Sequence, residues 1–136
     1  MPTASFALQK AIHAALTADP ALVALLGGPR VYDHVPRGAA FPYVTFAQSA
    51  EYDWSTGTEL GHQHVVTLHV WSRAAGSQEA QEILGAVRAA LHDQALAFSG
   101  HRLVNLRQEF SEVRRDADGE TYHGLVRLRA VTEAVG

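Results

Sequence analysis

Near its C-terminus the chain carries two alternating stretches, HRLVNLRQEFSEVRR and TYHGLVRLRAVTEAV, on either side of DADG. Asp118-Gly119 is a strong signal for the tight turn of an antiparallel hairpin, because both residues tolerate the left-handed backbone such a turn requires. Each strand runs to about 14 residues where ~5–6 is usual. A hairpin that long either curls around its own sheet or projects an edge toward a neighbouring subunit. On the first strand the alternation groups Val104, Leu106 and Phe110; on the second it groups Tyr122, Val126, Leu128 and Ala130. The opposite faces hold Arg107, Glu109, Arg127, Arg129 and Glu133, which are expected to pair across the strands.

A second constraint is an abrupt change of period. From His62 to Ser72 the chain alternates, with Val66, Leu68 and Val70 on the face of His62 and His64, and Val65, Thr67, His69 and Trp71 on the other. Large apolar groups on both faces predict a central strand covered on both sides near its end. Beyond Ser77, the expected N-cap, Ala80, Ile83, Leu84, Val87 and Leu91 follow helical spacing. At the N-terminus, Leu8, Ala11, Ile12, Ala15 and Leu16 mark one face of a helix over roughly residues 4–18. Asp19-Pro20 caps and opens a short second helix, PALVALL, and Gly27-Gly28-Pro29 ends it. RVYDHV and PYVTFAQSAEY read as strands, the latter starting after Pro42. The order of elements predicts an α+β fold. A mostly antiparallel sheet with a long C-terminal hairpin is packed by the N-terminal helices and by one main helix at about residues 77–93. A single domain spanning 1–136 is expected from the length.

Composition removes several functional classes. There is no cysteine, hence no disulfide scaffold, thiol nucleophile or cysteine zinc site. The net charge of −3 and the lack of a basic block argue against a protein that grips nucleic acid by its phosphates. The N-terminal stretch has neither a basic leader nor a continuous apolar run, so an intracellular product is expected, with no membrane partner.

Chemistry has few footholds. His62 and His64 stand two apart on a strand, about 6.6–6.8 Å at Cα and facing one way, so both could reach one zinc ion. A metal-dependent hydrolase built on them would need a third ligand, with His123, Asp53 and Glu51 as candidates. The simpler reading is an exposed strand end, solvated or hydrogen-bonded, with His69 packed on the opposite face. No nucleophile elbow and no phosphate-cradling glycine loop occurs. The pairs Asp116/Asp118 and Glu79/Glu82 are accounted for by a turn and a first helical turn. The sequence therefore points away from an enzyme, with no catalytic residue, no metal and no cofactor expected. What lacks an internal explanation is the segment Glu51–Gly61, read as a long hairpin loop. It sets Tyr52, Trp54 and Leu60 among polar residues, either as a lid on the sheet or as anchors for a partner.

Four stretches carry a resemblance: ALVALLGGPRVYDHVP (21–36), PYVTF (42–46), HVVTLHVWSRAAGSQEAQEILGAVRAAL (64–91) and GLVRLRAVTE (124–133). Together they resemble the tail terminator, or tail-completion, family of long-tailed bacteriophages, particularly the version in gene transfer agents. The resemblance implies a structural role without cofactor. The expected assembly is a homohexameric ring that caps the tail tube, ends polymerisation of the tail tube protein and docks to the head connector or stopper protein. DNA would pass through its lumen without sequence-specific binding. Such a protein is made in the bacterial cytoplasm and ends at the head-proximal end of the tail. A head-completion or stopper ring of the neck is the nearest alternative, and a ligand-binding module a more distant one.

A ring closes through a heterologous interface, so each subunit needs two different complementary patches. The residues expected to supply them are Tyr52, Asp53, Trp54, Glu59 and Leu60 on the loop, and Arg107, Arg127 and Arg129 on the hairpin.

Overall fold

Local chemistry sets the helix ends. The Thr3 hydroxyl accepts the Phe6 N–H at 3.1 Å and opens α1, Ala4–Thr17. The Asp19 carboxylate accepts the Ala21 N–H at 3.2 Å and opens α2, Pro20–Leu26, whose first position suits proline because its N–H would be unpaired anyway. Gly27 closes α2 at φ 78°, a left-handed conformation that costs a side-chain-bearing residue more than glycine. The remaining elements of this computed structural model, which describes residues 3–58, 60–96, 98 and 100–135, are β1 (Val31–Tyr32), β2 (Tyr43–Asp53), β3 (Gly61–Ser72), α3 (Gln78–Leu91), β4 (His101–Arg115) and β5 (Tyr122–Ala134).

The strands form one five-stranded sheet in the order β1-β2-β3-β5-β4. Only the β1–β2 pairing is parallel, through Val31 against Val44 and Tyr32 against Thr45; the other three are antiparallel. The α+β reading and the long hairpin are thus observed, with β4 and β5 of 15 and 13 residues. RVYDHV contributes a strand of only 2 residues, since Pro36 and Gly38 follow and break any further ladder.

All three helices lie on one face, touching each other and the strands beneath them. Leu8, Ile12 and Leu16 of α1, Leu22 and Leu26 of α2 and Ile83, Val87 and Leu91 of α3 meet Val44, Val66, Leu68, Val70, Leu106, Val126 and Leu128 of the sheet. Each such fully buried aliphatic side chain contributes about 1.5–3 kcal/mol. At Gly124 a Cβ would stand 3.2 Å from both Leu84 Cδ2 and Val70 Cβ, so glycine lets α3 sit close on β5.

Several sequence expectations need correction. On the helix-covered face of β3 His64, Val66, Leu68 and Val70 are buried, while on the other face Thr67 is buried and Val65, His69 and Trp71 are half-buried. A bulge between Phe46 and Ser49 shifts the alternation of β2, so that Ser49, Glu51 and Asp53 share the helix-covered face with Phe46 while Tyr52 takes the open one. Bulges at Leu103/Asn105 and Gln108/Phe110 do the same to β4. Leu106 is in the core, Val104 is an exposed bulge residue, and Phe110 stands opposite Arg127 on the open face. Ser77 precedes α3 without a side-chain cap bond; Glu79 is held instead by the Ser72 hydroxyl at 2.7 Å.

Candidate functional site

Four strand ends meet at one edge of the molecule: the end of β2, the start of β3, the end of β5 and the start of β4. Glu51, Tyr52 and Asp53, expected in the loop, are paired strand residues opposite His64, Gln63 and His62. The connection proper is therefore 54–60, shorter than the segment 51–61 read from its composition. It is closed by Trp54 N–H donating to the Gly61 carbonyl at 2.9 Å, Gly61 N–H donating to Ser55 Oγ at 3.2 Å, and Ala134 N–H donating to the Leu60 carbonyl at 3.0 Å. Asp53 receives Ser55 N–H at 3.0 Å, and its hydrogen bonds with Ser55 hold its carboxyl below the usual range. A Cβ at Gly61 would lie 3.2 Å from the Trp54 carbonyl oxygen, so glycine lets the chain approach closely here.

Tyr52 is 56%, Trp54 52% and Leu60 67% exposed, and Val135 and Val104, from the neighbouring strand ends, are 50% and 45% exposed. Five exposed apolar side chains thus belong to the strand ends and the connection at one end of the sheet. Glu59 lies outside the described residues. Sequence reasoning missed Val104 and Val135. Val104 alternates like a core residue until the bulge displaces it, and Val135 follows the last strand with nothing local to set its exposure.

The arginines sit elsewhere, on the open face. Arg107 is directly opposite Arg129, and Arg127 is opposite Phe110 with its guanidinium carbon 5.2 Å from the ring centroid. The expected cross-strand ion pairs among these residues do not form. Glu133 pairs across the strands with Arg102 instead. Like charges placed across from one another are unfavourable in an isolated sheet, so the Arg107–Arg129 pair raises the local positive potential of this face.

The histidine pair of the zinc hypothesis is divided by burial. His64 is buried on the helix-covered face, not solvated at a strand end, and its Nε2 is 2.9 Å from the Thr132 hydroxyl. Its Nδ1 is buried without a hydrogen-bond partner, 4.0 Å from Glu51 Oε1. Burial pushes the His64 imidazole below its ordinary range; the Glu51 carboxylate opposes this, while His62 and His101 add to it. Of the suggested third ligands, Glu51 and Asp53 lie across the ladder, and His123 is at the far end of β3 opposite Trp71. Among the described residues no group of three or more histidine, aspartate or glutamate side chains is arranged to hold a metal ion. The same residues include no helix long and apolar enough to cross a membrane.

Exposed apolar side chains at one strand end and arginines on the open face are the most prominent surface features described. Comparison with known proteins identifies the family. The model of the family described as "Tail completion protein gp17" matches residues 10–133. The chain belongs to this family. Among its relatives, the tail completion protein gp17 of Bacillus phage SPP1 is 29% identical over 126 residues, covering 93% of this chain and 92% of that protein. Among solved structures, a chain from the virion of a native gene transfer agent particle superposes with a TM-score of 0.89 at 34% identity, covering 98% of this chain and 100% of that one. Membership makes the chain a structural tail-completion protein of phage-type particles, as the resemblance implied.

Proposed function

We propose that this tail-completion protein acts as a tail terminator. Residues 1–136, working as one unit, close with five further copies into a ring on the head-proximal end of the tail tube, end polymerisation of the tube subunits and present the surface that joins the head connector. DNA passes through the lumen. The observation that carries this reading is the cluster of exposed apolar side chains at one sheet end. Tyr52, Trp54 and Leu60, with Val104 and Val135, form a patch that a free-standing subunit would leave in water, and large exposed aromatics concentrate binding energy at protein interfaces.

Asp53 stands beside these anchors, and Glu59 belongs to the same connection. Arg107, Arg127 and Arg129 form the second, unlike patch that a heterologous ring requires, meeting an acidic neighbour or lining the passage. The geometry gives no support to hydrolytic chemistry at His62 and His64, because the Thr132 hydroxyl engages His64 Nε2 and burial isolates it. The role needs no cofactor, and synthesis in the bacterial cytoplasm before incorporation into the particle accords with it.

The test is Trp54→Ala in a particle-producing strain. The expected result is a folded protein with unchanged circular dichroism and a population of over-long or headless tails by electron microscopy. Normal particles from this variant overturn the interface assignment, and an unfolded isolated protein shows the loop to be a lid.

A further inference from the structure

A second constellation lies on the open face, toward the other end of the sheet. His69 of β3 and His123 of β5 are diagonal neighbours, since His69 pairs with Leu125 and His123 with Trp71. His123 Nε2 and His69 Nδ1 point at one another and share a short hydrogen bond. Behind His123, its Nδ1 faces Asp116 Oδ1 at 3.6 Å, and the Trp71 ring stacks on it at 4.1 Å between centroids and 10° between planes. His123 is 8% exposed. A carboxylate behind one imidazole nitrogen, with the other aimed at a second imidazole, is the arrangement by which proteins fix the tautomer of a metal-ligating histidine.

We propose that His69 Nδ1 and His123 Nε2 form a two-nitrogen site for a late first-row divalent cation of the copper, nickel and zinc group, with Asp116 as the positioning residue and water in the remaining coordination positions. Imidazole is a preferred donor for these ions. With its own Nδ1–H directed at the Asp116 carboxylate, His123 presents an Nε2 lone pair, which accepts the His69 Nδ1–H. Binding moves that His69 proton to its own Nε2 and frees the second lone pair, so no proton leaves the pair. Metal–nitrogen bonds of about 2.0–2.1 Å at a tetrahedral angle set the two nitrogens about 3.3 Å apart. A small swing of two rings that already face each other supplies this separation.

The surroundings favour the neutral imidazoles that a metal requires. Burial holds both rings below the ordinary histidine range. For His69, His123 and then Arg114 add to this effect; for His123, Asp116 and Glu112 oppose it while Arg114 adds to it. The charged groups facing the pair are thus two carboxylates and one guanidinium, a net negative setting for a cation. With only two protein ligands, binding in the micromolar range is expected, below that of closed structural sites.

Trp71 makes the site readable, since bound copper(II) quenches an indole stacked on its ligand. The experiment titrates copper(II) sulfate into the full chain carrying Trp54→Phe, at about pH 7.5, and follows the Trp71 emission. The expected result is saturable quenching at one ion per chain, weakened at least tenfold by His69→Gln or His123→Gln. Asp116→Asn, which leaves both ligands in place, is expected to weaken it about tenfold or more. His62→Gln is expected to leave it unchanged. Electron paramagnetic resonance of the copper complex should show two equivalent-type imidazole nitrogens. Absence of quenching, or quenching that His69→Gln leaves intact, overturns the site and reduces the pair to a proton-sharing contact. His69 is partly exposed, so its variant decides the matter even if His123→Gln fails to fold.

Discussion

The two ends of the sheet are built from opposite materials. At one end Tyr52, Trp54, Leu60, Val104 and Val135 are exposed and apolar. At the other, the β4–β5 turn and its neighbours carry Arg73, Arg114, Arg115, Asp116, Asp118 and Glu120, and Asp118 and Arg73 bond within the chain. Asp118 there receives the backbone N–H of Thr121 at 2.8 Å, the Thr121 hydroxyl at 2.7 Å and the Glu120 N–H at 2.9 Å, bonds that bring its carboxyl down to about 2. Arg73 donates to the Thr121 hydroxyl and lies 4.4 Å from the Phe41 ring centroid. At one end the polar turn bonds to itself, and at the other the apolar side chains are left exposed. An end that leaves aromatic surface in water calls for a partner, whereas an end that closes its own hydrogen bonds serves the fold.

This contrast can be broken by experiments of decreasing effect. Truncating the apolar end with Trp54→Ala and Leu60→Ala together should cut the yield of normally joined particles at least tenfold while leaving the melting temperature of the isolated chain unchanged. Electron microscopy and calorimetry read the two halves of that statement. Gly124→Ala, in the turn-proximal half of the core, should do the reverse. Its methyl group presses on Leu84 and Val70, costing about 1–3 kcal/mol of stability, while the folded fraction still assembles.

Acid should loosen the fold in two steps. His64, His69 and His123 have lowered pKa values in the folded chain, so the unfolded chain binds their protons first. Their contribution is whole above the ordinary histidine value of about 6.5 and is lost as the pH falls through their folded values. Asp118, also lowered, follows the same sign at more acidic pH: its contribution is present above the ordinary aspartate value and is lost as the pH falls through about 2. Urea midpoints measured across pH check both steps, and His69→Gln should flatten part of the first. The smallest effect is expected from Leu60→Ser alone, within about 0.5 kcal/mol of the parent in stability, as for surface changes generally.

Much of this was legible in the sequence where one rule acted alone. Helical spacing over residues 80–91 fixed the buried face of α3, the Asp19-Pro20 and Gly27 signals bounded α2, and Asp118-Gly119 marked the hairpin turn. The failures cluster at β-bulges. A bulge adds one residue without a local sequence mark and moves every later side chain to the other face. That is why simple alternation groups Val104 and Phe110 with Leu106, whereas it is the polar composition of 51–61 that hides the last paired residues of β2. For the candidate site, the aromatic composition of residues 52–60 was informative, but its direction was not. Whether Trp54 folds back or faces water depends on contacts with β5 and β4, far along the chain. The Asp116–His123–His69 line was equally hidden, because it joins a turn and two strands that only the register β3–β5 brings together.

The central claim is that the apolar sheet end is the contact surface of a closed terminator ring. The most direct measurement is a cryo-EM reconstruction of the neck of particles assembled with this chain. The account predicts six copies at the head-proximal end of the tube, with Tyr52, Trp54 and Leu60 of each copy buried against a neighbouring subunit or the tube. A reconstruction that leaves these three side chains facing solvent, or that places the chain elsewhere in the particle, contradicts it.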